Sequence, residues 1–271
     1  MTDRARIPVL GLRGISKRFG AVQALTDVSL EVYAGEVVGL VGDNGAGKST
    51  LIKCISGINI IDAGEILFDG KPVTITGPKS AAALGIETVY QDLALCDNLD
   101  VVANLFLGRE QVQTLVPAVI EPINEVSMEK RAIGVLRGLS VSIPSVRTLI
   151  ASLSGGQRQS VAVARSVMWN SKLVVLDEPT AALGVAQTRQ VLDLIQRLKA
   201  QGLAVIVISH NLEDIFSVVD RIVVLRLGRN AGTFDVKRAT HEQIVGAIMG
   251  AEFGADEPEA ELQPTGAVPA T

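Results

Sequence analysis

Short apolar runs rich in β-branched residues alternate along the chain with longer stretches of helical spacing. Apolar runs bounded by turn residues suit strands buried on both faces, the pattern of a mainly parallel sheet covered by helices. Core strands are therefore expected at Glu36–Val41, Glu87–Tyr90, Leu173–Leu176, Ala204–Ser209 and Arg221–Leu225. Ahead of them, Val9–Lys17 and Ala21–Val32 read as extended segments turning at Phe19-Gly20. Glu65–Phe68 followed by Asp69-Gly70 gives a further hairpin signal. The pattern thus predicts an α/β fold with an antiparallel β layer beside the parallel sheet.

From about Asp92 to Leu153 the β-branched runs thin out, Pro117 and Pro122 mark a loop, and a helical pattern runs from Ser127 to Leu139. This predicts a helical subdomain, about residues 92–165, inserted between two strands of the main sheet. Beyond Met249 the sequence turns to Pro, Ala and acids, so 251–271 is expected to be a disordered tail behind a domain of 1–250. Hydrophobic residues make up 48% and aromatics 3%, so the core must be aliphatic.

Charge narrows the partners. The net charge is -4 with no Lys/Arg-rich run, and no nucleic acid partner is expected. Apolar stretches such as Leu203–Ile208 are too short to span a bilayer. The first residues also lack a signal core, which points to a cytosolic protein. Cys54 and Cys96 have no CxxC spacing and no neighbouring His, so free thiols are expected. Trp169 and His241 read as helix-packing and surface residues.

The chemistry is concentrated at the strand ends. Gly42-Asp-Asn44-Gly45-Ala-Gly47-Lys48-Ser49-Thr50 follows an apolar strand and precedes a helical pattern, fitting G-x-x-x-x-G-K-[ST] in the context that motif needs. Its glycines let successive N–H groups face phosphate oxygens, and the following helix adds its positive end. Lys48 supplies a full charge to the phosphates, and the Ser49 hydroxyl suits Mg²⁺. Leu173-Val-Val-Leu-Asp177-Glu178 ends a second strand in two carboxylates. Alone, such an ending is common. Beside a phosphate loop it points to phosphoryl transfer, with Asp177 near the metal and Glu178 as general base.

Leu153-Ser154-Gly155-Gly156-Gln157-Arg158-Gln159, lying before the second carboxylate strand, closely resembles the signature motif of ATP-binding-cassette (ABC) proteins. The resemblance covers roughly Val9 to Met249. It implies the ABC form of the P-loop NTPase fold and the hydrolysis of MgATP. It further implies Gln91 as a glutamine contacting metal and water, His210 as the switch histidine, and Phe19 as a ring stacked on adenine. Metal ligation would fall to Ser49, Gln91 and Asp177, and catalysis to Glu178, His210 and Gln91. Ser154, Gly155, Gly156 and Gln157 would reach the γ-phosphate held by a second cassette, a homodimer being expected.

Within the family, Asp177–Thr188 and Val89–Asp100 look like the ATPases of bacterial monosaccharide importers of the ribose, xylose and fructose class. That resemblance implies membrane permease subunits as partners and, indirectly, a periplasmic or extracellular sugar-binding protein. The chain would then work peripherally on the cytoplasmic face of the inner membrane. There are two departures: many members of this class fuse two cassettes and this sequence holds one, and Gly184 stands where the wider family usually has Asp. The alternatives are a soluble ABC-type ATPase of translation or DNA maintenance, and a regulatory subunit that binds ATP without turnover.

Overall fold

A computed structural model describes residues 7–113 and 122–250. Residues 1–6, the loop around Pro117 and the expected tail at 251–271 lie outside the described residues. The chain runs through β1 (Leu10–Phe19), β2 (Val22–Val32) and β3 (Val37–Val41), the last leading into α1 (Lys48–Ile55). Next come β4 (Ala63–Phe68), β5 (Lys71–Val73), α2 (Pro78–Leu84) and β6 (Ile86–Val89). Three helices then precede the next strand: α3 (Val101–Phe106), α4 (Glu125–Gly138) and α5 (Gly155–Val167). The order continues with β7 (Leu173–Asp177), α6 (Val185–Ala200), β8 (Ala204–Ile208) and α7 (Leu212–Val218). It ends with β9 (Arg221–Arg226), β10 (Arg229–Asp235) and α8 (His241–Met249).

Two sheets form. The larger has the order β10-β9-β3-β8-β7-β6, parallel throughout except for antiparallel β10; the smaller is antiparallel, in the order β2-β1-β4-β5. The parallel strands were legible as apolar runs because a strand covered on both faces must be apolar at every position, whereas β2 of the antiparallel layer alternates buried and exposed residues. β10 was not expected. Its sequence RNAGTFD has no apolar alternation; among the described residues it is an edge strand paired to β9, with Phe234 packed on the core.

Alternate side chains of the parallel strands enter different cores. Val37, Val174, Leu176, Val205 and Val207 pack towards the helices, together with Leu105, Phe106, Val161, Leu194 and Ile215. Val38, Leu40, Leu173, Val175, Ile206 and Ile208 pack on the other side, against α1 and the antiparallel layer. Gly39 shows how closely the layers approach. A Cβ there would lie 3.0 Å from Ile215 Cγ2 and 3.3 Å from Val219 Cγ1.

The helices between β6 and β7 start where local chemistry allows. Asp100 caps α3 by accepting from Ala103 N at 2.7 Å, and Asn124 caps α4 by accepting from Ser127 N at 3.0 Å. Phe106 anchors this lobe: it is fully buried, and Trp169 meets it edge-on with centroids 5.6 Å apart. The guanidinium of Arg131 covers the Trp169 ring at 4.6 Å. His241 is stacked on Phe216 at 4.0 Å, tying α8 to α7.

Truncating Phe106 empties the centre of the lobe. Phe106→Ala is expected to lower unfolding free energy by about 3–5 kcal/mol, measured by urea denaturation at equilibrium. A loss below about 1 kcal/mol would mean that this ring is not a packing centre.

Candidate active site

In a parallel sheet, ligands bind beyond the carboxyl ends of the strands, where loops leave the buried layer. Gly42–Gly47 leaves β3, Asp177 and Glu178 end β7, His210 follows β8, and Gln91 lies two residues beyond β6. All four groups therefore sit along one edge of the sheet.

The loop after β3 requires glycine at its ends. Gly42 has φ +151°, and a Cβ there would stand 2.2 Å from Leu225 O. Gly47, the N-cap of α1, has φ +101°, and its Cβ would meet Leu25 Cδ2 at 2.8 Å and Ala24 O at 2.9 Å. The Lys48 ammonium folds back over this loop, donating to Gly42 O at 2.6 Å and Asp43 O at 3.0 Å. Burial pulls its pKa below the ordinary lysine value, opposed by the charges of Glu178, Asp43 and Asp177. Burial also holds the Asp177 carboxyl above its ordinary value; the neighbouring Glu178 adds to this, while Lys48 and Lys53 oppose it.

Glu178 occupies left-handed backbone, φ 51°, with its N–H donating to Ile208 O at 2.9 Å. That bond ties the end of β7 to β8 and brings Glu178 Oε2 to 2.9 Å from His210 Nδ1. The Glu178 side chain is 16% exposed and that of His210 77%, so the pair joins a sheltered carboxylate to an open imidazole. Two residues on, the Thr180 hydroxyl donates to Asp214 Oδ2 at 2.7 Å, fastening the loop after Glu178 to α7.

A cleft of about 390 Å³ opens over the loop, lined by Asn44, Gly45, Gly47, Lys48, Ser49 and Thr50. Ala46 of the same loop completes it together with Val22, Gln23, Ala24, Leu227 and Gly228, which no sequence motif marks. The turn at Leu227-Gly228 is sewn in by two backbone bonds, Gly228 N to Ala46 O at 3.0 Å and Thr26 N to Gly228 O at 2.7 Å. An X-Gly pair after the apolar run ending at Leu225 was the available signal for this hairpin. Phe19 is not among the lining residues. It is 46% exposed at the end of β1, in register with Val22 and 5.5 Å from the Lys17 ammonium.

Ser154 to Gln157 lie elsewhere. Ser154 caps α5, its hydroxyl accepting from Gln157 N at 3.3 Å while Gln157 Oε1 accepts from Ser154 N at 3.0 Å. Ser154 and Gly155 are exposed, whereas Gly156 is buried with its Cα facing Gln187 of α6. None of the four lines the cleft over the phosphate loop. Gly184 has ordinary extended backbone and open space around it, so glycine is not forced there by the fold.

The donor set suits a hard cation. Ser49 is exposed beside Lys48, and Asp177 is a partly buried carboxylate whose ionised form is disfavoured by burial and by Glu178. One hydroxyl and one carboxylate, with room for water and phosphate oxygens, is what Mg²⁺ takes at phosphate sites.

The ABC transporter family profile matches residues 25–181. A fructose import ATP-binding protein of Rhizobium meliloti is 44% identical over 250 residues, 92% of this chain and 96% of that protein. The chain belongs to the ABC transporter family. A xylose/arabinose import ATP-binding protein of Sulfolobus acidocaldarius is 47% identical to this cassette across 82% of the chain and 86% of its own length. A ribose import ATP-binding protein of Caldanaerobacter subterraneus is 38% identical over 91% of the chain, which spans 48% of that longer protein. Among solved structures, a nucleotide-free ATP-binding cassette from an ABC transporter superposes with TM-score 0.76 at 28% identity, covering 89% of this chain and 95% of that one. These relatives carry import names, which disfavours the translation and DNA-maintenance alternative.

On the inner side of α1, Cys54 is buried and its thiol is pushed up to about 11 by burial, while Cys96 is only half-buried. At pH 8 the native cassette is expected to react with Ellman's reagent at Cys96 and not at Cys54, the latter reacting after denaturation. Rapid native labelling of Cys54 would show that α1 opens in solution.

Proposed function

We propose that this cassette is the ATP-hydrolysing subunit of a membrane ABC importer whose cargo is a monosaccharide. The observation that carries the reading is the convergence of the phosphate loop, Asp177, Glu178 and His210 along one sheet edge, with Lys48 inside the field of both carboxylates. The import names of the relatives supply the transport half of the reading.

ATP lies with its phosphates over the loop amides. Lys48 leaves Gly42 O and Asp43 O to face the β- and γ-phosphates, and the adenine rests near Phe19 and Val22. Ser49, Asp177 and Gln91 would hold Mg²⁺, which would supply positive charge beside the phosphate oxygens. Glu178 accepts the proton of a water that attacks the γ-phosphorus, the bond to the β–γ bridging oxygen breaks, and ADP leaves. His210, paired with Glu178, holds that carboxylate in register and faces the transferred group. Catalysis is chiefly positioning and charge stabilisation.

Ser154, Gly155, Gly156 and Gln157 lie outside the cleft of their own chain, so their role is served by a second cassette in a homodimer. There α5 presents its N-terminus to the partner's γ-phosphate. Permease subunits dock near Gln91–Leu105, where a cleft of about 170 Å³ opens beside Glu87, Leu105, Arg109 and Trp169. A sugar-binding protein delivers cargo to those permeases. Among the described residues no helix is long and apolar enough to cross a membrane, which fits a peripheral subunit at the cytoplasmic face of the inner membrane.

Two substitutions test the site. Glu178→Gln is expected to cut turnover by roughly two to four powers of ten while sparing ATP binding, measured as phosphate release and nucleotide titration. Near-normal hydrolysis would remove Glu178 as the base. Lys48→Ala is expected to abolish MgATP binding in the same titration, and tight binding by it would count against the phosphate-loop reading.

A further inference from the structure

Gln91 stands at a joint between two separately anchored pieces of chain. On one side, Val89 is paired with Leu176 in the sheet, and the Tyr90 hydroxyl donates to Ser56 Oγ at 2.8 Å, at the carboxyl end of α1. On the other side, Arg165 of α5 donates from Nη2 to Leu93 O at 3.0 Å and from Nη1 to Ala94 O at 2.8 Å. Ala94 is held there in left-handed backbone, φ 49°, a conformation an alanine adopts only when its surroundings impose it.

The hold continues beyond Ala94. Asn104 of α3 is fully buried; its Oδ1 accepts from Cys96 N at 2.7 Å and its Nδ2 donates to Cys96 O at 3.0 Å and Asp100 O at 2.9 Å. Residues 93–100 are therefore fastened to α5 and α3, while Tyr90 is fastened to the phosphate-loop helix. Only Gln91 and Asp92 lie between the two.

We propose that Arg165 is the positioning residue that locks Gln91 to the helix whose first turn carries Ser154 and Gly155. Any displacement of α5 relative to α1 is taken up at Gln91-Asp92, so approach of the signature turn to a partner and placement of the Gln91 side chain are one movement. The guanidinium suits this work: its planar fork reaches two carbonyls at once, and its charge is met from the sheet side by Glu87. Arg165 touches no substrate in this scheme and acts through Gln91. The proposal rests on the reading of Gln91 as a metal and water ligand.

The test is a double-mutant cycle on the full chain with Gln91→Ala, Arg165→Met and the double variant, measuring turnover at saturating MgATP, ATP affinity and thermal unfolding. Arg165→Met is expected to lower turnover about ten- to a hundredfold, as small misplacements of a catalytic group do, with ATP affinity changed less than about twofold. Combined with Gln91→Ala it should add no more than about a further twofold, because both changes remove the same placement. Losses that multiply would mark general structural damage and overturn the proposal. Full turnover in Arg165→Met beside a defective Gln91→Ala overturns it and leaves the reading of Gln91 standing. Full turnover in Gln91→Ala removes that reading and the proposal with it. If Arg165→Met does not fold, Arg165→Lys, whose ammonium cannot hold both carbonyls in the same geometry, takes its place in the same cycle.

Discussion

Burial of the parallel sheet on both faces is the constraint from which the rest of the cassette follows. β3, β8 and β7 send alternate side chains into an upper and a lower aliphatic core, leaving almost no place along them for an ionised group. Charge is driven to the strand ends. There the backbone escapes the ladder, and loops can turn N–H groups and carboxylates towards one edge. The phosphate loop, Asp177-Glu178 and His210 are neighbours because β8 lies between β3 and β7 in the sheet, although well over a hundred residues separate Lys48 from Glu178 in the sequence.

Collecting these groups has an electrostatic consequence. Burial disfavours the ionised form of Asp177, the neighbouring Glu178 adds to the effect, and burial likewise disfavours the Lys48 ammonium. Lys48 is hydrogen-bonded to two loop carbonyls, and Glu178 is set against His210. Phosphate oxygens over the loop would favour the Lys48 ammonium that burial disfavours. The left-handed backbone at Glu178 belongs to the same economy of space, since it is fixed by the bond to Ile208 O that sets the carboxylate's direction.

The helices between β6 and β7 divide the machinery. They carry Ser154 to Gln157 away from the cleft of their own chain, yet they hold the backbone beyond Gln91 through Arg165 and Asn104. The same lobe thus carries the exposed turn at Ser154-Gly155 and anchors the chain just beyond Gln91. The tightness of that lobe is a matter of packing around Phe106 and Trp169, not of its surface ion pairs, which are exposed and individually weak.

By itself the sequence determined the strands, the phosphate loop and the carboxylate pair, because each of these is a local requirement written in neighbouring residues. Buried strands need unbroken apolar runs, and the tight loop needs glycine where a Cβ would strike Leu225 O or Ala24 O. Tertiary structure alone decided that Glu178 meets His210, that Leu227-Gly228 closes the cleft, and that Arg165 grips Leu93 and Ala94. Those contacts join segments far apart in the chain; the Leu227-Gly228 and Arg165 contacts are also made to backbone atoms, and a carbonyl oxygen leaves no mark on residue identity. β10 escaped notice for a related reason: as an edge strand it is fixed by β9's hydrogen bonds and by those of Asn230 to the backbone of Ser29, with only Phe234 packed on the core.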